Sequence, residues 1–226
     1  MDYSRAMQGI VTPDLSDACD ALGIEAVTSG AVHGVYRDCP AICGPVVTYR
    51  LRPGAKGSTV IGTLDGIVSA KPGSILVFDV EGNMELNAWG SIAGNTAVHY
   101  RIGGVVIDGV TRDIQAMQEL ELPTYARGTC VTSVRGRIGL ESVNEPITMF
   151  GKTVKPGWLC AADANGVIFF PPERAAEVFA FAYRVVALEK KVVQQIQQGV
   201  DPIEAHKLMK YDTSWKDQLT DKGLTK

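Results

Sequence analysis

The sequence predicts an α/β fold with mixed sheets and flanking helices. Three observations predict it. Near the middle, the apolar run Val105-Val106-Ile107 leads straight into residues with helical spacing, the layout of a strand–helix unit. From Thr129 to Phe170 the pattern changes to short β-rich segments divided by Gly and Pro. From Pro171 onward helical spacing returns over a long span. Strand–helix units followed by an antiparallel stretch argue for a mixed or double sheet and against a purely doubly wound one. The 226 residues, 46% hydrophobic, suffice for one sizeable core. No repeat or low-complexity linker marks an internal boundary. One domain over 1–226 is expected, with a C-terminal helical tail from about residue 200.

Each element has its own signal. "TPDLSDACDALG" predicts a helix: Thr12 can cap it, Pro13 suits the first turn, Leu15, Ala18, Ala21 and Leu22 share a face, and Gly23 can end it. "AICGPVVTYRL" predicts a strand with a bulge-prone Gly44-Pro45. "STVIGTLDGIVSA" predicts a helix weakened by Gly62 and Gly66. "KPGSILVFDVEG" reads as a turn, a buried strand from Ser74 to Asp79, and a second turn. "NAWGSIAGNTAVHYR" has helical spacing and a face rich in small residues, which let a backbone or a ligand come near. After the strand around Val105–Ile107, a helix is expected from about Thr111 to Leu120. "CVTSV", "PITMF", "KTV", "WLCAA" and "GVIFF" are the expected short strands. In the last long helix Ala175, Val178, Ala182, Val185, Glu189, Val192 and Ile196 follow a 3-4 spacing, so Glu189 occupies an apolar seam position. A carboxylate there is costly unless it reaches water or a partner.

Several function classes are disfavoured. Net charge is −3, and no basic face suggests a nucleic-acid partner. No run approaches the ~20 apolar residues of a membrane span. "MDYSRAMQGIV" lacks a signal peptide's layout, and five cysteines at these spacings complete no zinc site, so reduced thiols in a cytoplasmic protein are expected. The tail after His206, with five Lys against three Asp, reads as a solvated end.

"VVIDGVTRD" is the candidate site. Parallel strands present ligand sites at their carboxyl ends, where the next helix starts. On this reading Gly109 permits a sharp turn, Thr111 caps the helix, and Arg112 and Asp113 sit in its first turn, pointing about 100° apart. Arg offers a fixed fork of donors for a carboxylate or enolate oxygen. Asp offers a hard oxygen, and one carboxylate plus waters and substrate oxygens is a common way to hold Mg²⁺. The plainer reading is that the helix dipole alone favours Asp in a first turn, with the Arg reaching a surface acid.

The surrounding segment, "WGSIAGNTAVHYRIGGVVIDGVTRDIQAMQELELPTYARG", resembles the RraA-like family. That family includes metal-dependent 4-hydroxy-4-methyl-2-oxoglutarate / 4-carboxy-4-hydroxy-2-oxoadipate aldolases and RraA proteins that inhibit RNase E. "TPDLSDACDALG", "KPGSILVFDVEG", "VKPGWLCAADANGVIFFP" and "ALEKKVVQQIQQG" extend the likeness over most of residues 12 to 200, with Trp158 where the family usually has Asp. The resemblance implies a swivelling β/β/α fold and a homotrimer or homohexamer with sites at subunit interfaces. It implies a divalent cation, Mg²⁺ or Mn²⁺ or another, held by Asp113. It implies that Arg112 binds the pyruvyl part of a small oxo-acid substrate, and that the backbone N–H groups of Gly90, Ser91, Ile92 and Ala93 hold its carboxylate. It also implies that Glu189 reaches a site across the subunit interface. The implied chemistry is cleavage of a carbon–carbon bond beside a pyruvyl group, by retro-aldol cleavage of a 4-hydroxy-2-oxo-dicarboxylate or decarboxylation of oxaloacetate. The metal would act as Lewis acid for the pyruvate enolate. The alternative the family offers is a non-catalytic, protein-binding regulator of the RNase E type.

One departure stands out. Family aldolases carry Asp at the position of Ser91, and RraA-like members carry an acid at the position of Ala116; here neither acid is present. Ser91 is no general base by itself, so Glu189, or Glu85 and Asp108 from flanking turns, are the candidate replacements. His99, His33 and His206 receive no role. Asp163 reads as a turn residue, Cys130 and Cys160 as buried strand positions, and Arg135 or Arg137 as able to meet a distal substrate carboxylate.

Overall fold

The computed structural model describes residues 3–209. The Lys-rich tail expected to be solvated lies beyond them, Lys207 apart. In chain order the elements are α1 (Tyr3–Ala6), α2 (Thr12–Ala21), β1 (Val27–Ser29), β2 (His33–Gly34), β3 (Ile42–Arg52), α3 (Thr59–Ser69), β4 (Ile75–Asn87), α4 (Ser91–His99), β5 (Gly104–Thr111), α5 (Ile114–Glu119) and β6 (Thr124–Thr129). There follow β7 (Gly139–Val143), β8 (Ile147–Met149), β9 (Lys152–Val154), β10 (Leu159–Asp163), β11 (Gly166–Phe170), a 3-10 turn at Pro172–Arg174, α6 (Ala175–Gln197) and α7 (Pro202–Met209).

The main sheet is mixed, in the order β1-β11-β10-β3-β4-β5-β6-β2, with β7 also on β3; β8 and β9 form a separate hairpin. The pairs β3–β4, β4–β5 and β5–β6 are parallel. Strands β10, β11 and β1 extend the sheet antiparallel on one side. Successive residues of a strand face opposite sides of a sheet, and the core follows that rule. Leu76 and Phe78 face α4 and α5, whereas Ile75 and Val77 join Ile147, Met149 and Val154 on the other side. Leu159 and Ala161 pack on α2 and α6, and Cys160 and Ala162 face away from them. Burial pushes the thiols of Cys19 and Cys43 up to about 12, so they act as apolar filler. Among the described residues no helix is long and apolar enough to cross a membrane.

Several local expectations need correction. Thr12 does not cap α2. Val11 holds the cap position, the Asp14 carboxylate accepts from Val11 N at 2.7 Å, and Thr12 bonds instead to Asp163. Strand β4 does not stop at Asp79 but runs on irregularly to Asn87, through Glu81 and Gly82 at positive φ. "CVTSV" forms no strand; Val131 is 90% exposed and only Ser133 bridges, to Asn87. Cys130 is half-buried, its thiol against Glu85 O. Strand β5 runs through Gly109 to Thr111, so Gly109 makes no turn. A Cβ there would come within 2.2 Å of Val80 Cγ2, and close packing is what requires glycine.

Candidate active site

The carboxyl ends of β4 and β5 bring two loops together. Trp89, 2% exposed, anchors the first: it packs edge-on against Phe78 at 5.5 Å and donates from Nε1 to Met117 Sδ at 3.3 Å. Its carbonyl accepts from Arg112 N at 3.2 Å and Thr111 Oγ1 at 3.1 Å, and Ala88 N donates to Val110 O at 3.0 Å. The loop before α4 is thus strapped to the end of β5.

Arg112 and Asp113 lie in that strap and not within a helix. Helix α5 starts at Ile114, and Asp113 is its cap residue at φ 59°, ψ 43°. This left-handed conformation is uncommon outside glycine but is tolerated by Asp and Asn. It turns the Asp113 carboxylate away from its own helix towards α4, where Oδ2 accepts from Ser91 N at 2.9 Å. The expectation that the two side chains diverge from a first helical turn is therefore wrong: Arg112 Nε lies 3.8 Å from Asp113 Oδ2. That is Coulombic contact without a hydrogen bond, and Nε is buried with no acceptor.

Gly90 faces the pair. Its backbone is extended, which any residue can adopt, but a Cβ there would sit 2.9 Å from Asp113 Oδ2 and 3.5 Å from Arg112 Nε. Beyond it α4 begins without a side-chain cap. Its first-turn N–H groups have no intrahelical acceptor, and only that of Ser91 is taken by Asp113.

These residues line one cavity of about 100 Å³. Gly90, Ser91, Ile92, Ala93, Arg112 and Asp113 all border it. Glu189 does not. It lies on another cleft with Asp14 and Lys190, between α2 and α6. Burial, with the Glu189 charge adding to it, pushes Asp14 and Asp17 above the usual carboxylate range. Asp108 and Glu85 are absent from the cavity wall. Asp108 is buried, accepting from Arg127 Nε and from Phe150 N at 3.5 Å. Glu85 is exposed on β4. Ala116, on α5, is half-buried against the core, and His99 is exposed at the end of α4. Asp163 is the turn residue expected, accepting from Asn165 N at 2.8 Å, and it also holds Thr12.

Asp113 is the sole acid among the residues lining the cavity. The wall also includes Thr59, Thr63, Asn87 and Ser133, none of which the sequence singled out, and Arg135, raised only as one of two options. Asn87 is 4% exposed and reaches Thr132 O, tying the loop of Ser133 and Arg135 to the site; no motif marks it.

The match to the family model of RraA-like proteins, "Aldolase/RraA", spans residues 12–169. The chain belongs to the RraA-like family. Among curated relatives it is 27% identical over 205 residues to "Protein DlpA" of Legionella pneumophila; the match covers 89% of this chain but 33% of that protein, so the chain spans about a third of it. It is 28% identical to a Halalkalibacterium halodurans protein named "Putative 4-hydroxy-4-methyl-2-oxoglutarate aldolase", over 91% of this chain and 94% of that one. Among solved structures, an uncharacterized Pseudomonas syringae protein superposes with TM-score 0.78 at 28% identity, over 89% of this chain and 95% of that one. Streptomyces coelicolor RraAS2, described as an unusual member of the RNase ES inhibitor RraA family, superposes with TM-score 0.73 at 20% identity, over 84% and 95%. At that identity the second likeness speaks for the mixed α/β fold alone.

Proposed function

We propose that this RraA-like protein is a divalent-metal-dependent carbon–carbon lyase acting on a pyruvyl-containing oxo-acid. The observation that carries the reading is the convergence of Arg112, Asp113 and the uncapped start of α4 on one cavity, with Asp113 as its sole acid.

The donor set fits Mg²⁺ and not a cage-bound metal. Asp113 offers a hard carboxylate, 37% exposed, to a space open to water, and among the described residues no group of three or more His, Cys, Asp or Glu comes together. Mg²⁺ commonly takes one or two carboxylates and completes its shell with water and substrate oxygens. When bound, the ion supplies Lewis acidity. The chain's own groups do the rest. The Ile92 and Ala93 N–H groups at the start of α4 hold the pyruvyl carboxylate. The Arg112 guanidinium, on the cavity wall, would stabilise the charge that develops on the enolate oxygen as the carbon–carbon bond parts. Asp113 would hold the ion, and its acceptance of a hydrogen bond from Ser91 N ties that carboxylate to the start of α4.

Two leaving groups make different demands. Decarboxylation of oxaloacetate needs no base, whereas retro-aldol cleavage must remove a hydroxyl proton. One chain's cavity offers only hydroxyls for that, from Ser91, Thr59, Thr63 and Ser133. Glu189 of a second subunit, in a trimer or hexamer, is the base this reading assigns. An RNase E-type regulator rests on fold likeness and needs no metal.

The test is pyruvate release from a panel of oxo-acids, oxaloacetate included, with and without Mg²⁺. The expected result is metal-dependent release that Arg112→Ala and Asp113→Asn each lower by about a hundredfold or more. Release unchanged in either variant overturns the reading. Metal-independent binding of an RNase E-type nuclease without any release favours the regulator.

A further inference from the structure

Besides its charged pair, the cavity of Arg112 and Asp113 is lined by a neutral polar set. Helix α3 contributes Thr59 and Thr63, one turn apart on the same face, and the end of β4 contributes Asn87. Thr63 is 5% exposed and Asn87 4%. Buried polar groups in folded proteins are nearly all hydrogen-bonded. The other buried threonines of the described fold follow that rule: Thr12, Thr48, Thr111 and Thr124 each donate from the hydroxyl to an oxygen of the protein. Among the described residues the Thr63 hydroxyl has no such partner. It does not even turn back to its own helix, as Thr96 does on α4 by donating to Ile92 O at 2.9 Å.

Asn87 is half used. Its backbone N–H and its Nδ2 both donate to Thr132 O. That sets the orientation of the amide, because a carbonyl needs a donor facing it. Oδ1 is left as an acceptor with no donor among the described residues. Neither Asn87 Oδ1 nor Thr63 Oγ1 is sealed in the core, as the hydroxyl of Tyr49 is. Both residues border the cavity, so the partners of these atoms come from whatever enters it.

A fitting group must both donate and accept. An ionised carboxylate only accepts, so it gives Asn87 Oδ1 nothing and is repelled by it. A methyl group leaves both atoms unpaired. A hydroxyl can donate to Asn87 Oδ1 and accept from the Thr63 hydroxyl. The one cation on the wall besides Arg112 is Arg135, which is exposed, so water and salt screen its charge.

From this we infer that Asn87 and Thr63, with Thr59 beside them, form a neutral subsite for a hydroxyl on the fragment that leaves the pyruvyl end. The departing product is then a hydroxyaldehyde and not a second oxo-acid. In that cleavage the electron pair of the breaking carbon–carbon bond passes to the pyruvate enolate, which takes up a proton. The carbinol carbon loses its hydroxyl proton and becomes the aldehyde. The inference rests on the lyase reading for the pyruvyl end; the two unpaired atoms stand without it.

Three substrates of one chain length test it: 4,5-dihydroxy-2-oxopentanoate, 4-hydroxy-2-oxopentanoate and 4-hydroxy-2-oxoglutarate, which end in a hydroxymethyl, a methyl and a carboxylate. With Mg²⁺, kcat/KM is highest for the first, on the order of tenfold above the other two, the worth of about one hydrogen bond whose loss leaves buried partners unpaired. Thr63→Val keeps the branched shape, loses the hydroxyl and removes most of that lead, whereas Thr63→Ser preserves it. Asn87→Leu lowers the lead as well, with a thermal melt to show that the variant folds. Calorimetry with 5-hydroxy-2-oxopentanoate, 2-oxopentanoate and 2-oxoglutarate, none of which can be cleaved this way, needs no turnover. The hydroxy compound binds tightest, and Thr63→Val shrinks its advantage. If none of the three substrates is cleaved, the lyase reading fails while calorimetry still decides the subsite. A preference for the carboxylate, no preference for the hydroxyl, no binding at all, or a preference that Thr63→Val leaves unchanged overturns it.

Discussion

Asp113 carries two duties in one conformation. Its left-handed backbone aims the carboxylate at Ser91 N, and its charge is the ligand proposed for the metal. Replacement by Asn keeps a residue at ease in that conformation, so the loss it causes reports on charge; replacement by Ala mixes charge with backbone strain. Gly90 is the complementary case. A methyl group at 2.9 Å from Asp113 Oδ2 must displace the carboxylate or the start of α4. Gly90→Ala is expected to raise the Mg²⁺ concentration for half-maximal pyruvate release by about tenfold, the cost of modest overpacking. Its melting temperature should change little, since the clash is with a cavity wall; an unaltered metal requirement would show that the close approach is unimportant. The identity of the pair was legible in the sequence, but its conformation was not. Gly109 looks like a turn residue until Val80 and Asn83 are seen pressed against it, and nothing local reveals that the strand continues to Thr111.

At the scale of elements, α2, α3 and α6 were legible from helical spacing, and β3 and the hairpin β10–β11 from short β-rich runs, buried on both faces, that Gly and Pro divide. Strands β6 and β7 were missed. "TYARGT" interrupts its apolar positions with Arg127 and Gly128, and "GLESV" pairs as an edge on β3 with Glu141 exposed. "CVTSV" has the composition of a strand and no neighbour to pair with over its length, and strand preference is largely a preference for a packed, paired surface. The link between α2 and the hairpin is also long-range. Thr12 N and Oγ1 donate to Asp163 at 2.7 and 2.8 Å, across 151 residues of sequence. Asp163→Ala leaves the buried Thr12 donors unsatisfied and should destabilise folding by roughly 3 kcal/mol in urea titrations; Asp163→Asn, which keeps one acceptor oxygen, should cost less. Across α2 and α6 the balance is reversed. Burial first, then the Glu189 charge, raises the pKa of Asp17, so its ionised form is disfavoured in the folded state. That penalty is absent below the carboxylate's unfolded value and complete above its folded one. Asp17→Asn should therefore raise the melting temperature slightly at pH 7 and not at pH 3.

At the scale of the whole molecule, the proposed lyase has in one subunit groups that could hold a substrate but no base in the cavity beside them. Glu189 borders a cleft between α2 and α6, apart from the Arg112–Asp113 cavity. Ile92 borders that cavity and is exposed, as are Ile61 and Val68 on α3 and Val98 on α4, apolar side chains that an oligomer would have reason to cover. If Glu189 serves a neighbour's site, Glu189→Gln lowers retro-aldol cleavage far more than oxaloacetate decarboxylation, because only the first needs a proton removed. The two variants Asp113→Asn and Glu189→Gln should each be inactive as aldolases when pure. Mixed in equal amounts under conditions that exchange subunits, they should regain about a quarter of the normal rate, since a site with an intact Asp113 from one chain and an intact Glu189 from the next forms at that frequency in a closed ring. Light scattering fixes the subunit number, and mass spectrometry of the mixture confirms exchange. Recovery absent from a demonstrably mixed oligomer would place the base within the chain that holds the metal, leaving a hydroxyl of the cavity wall, Ser91 first among them, to pass the proton to solvent.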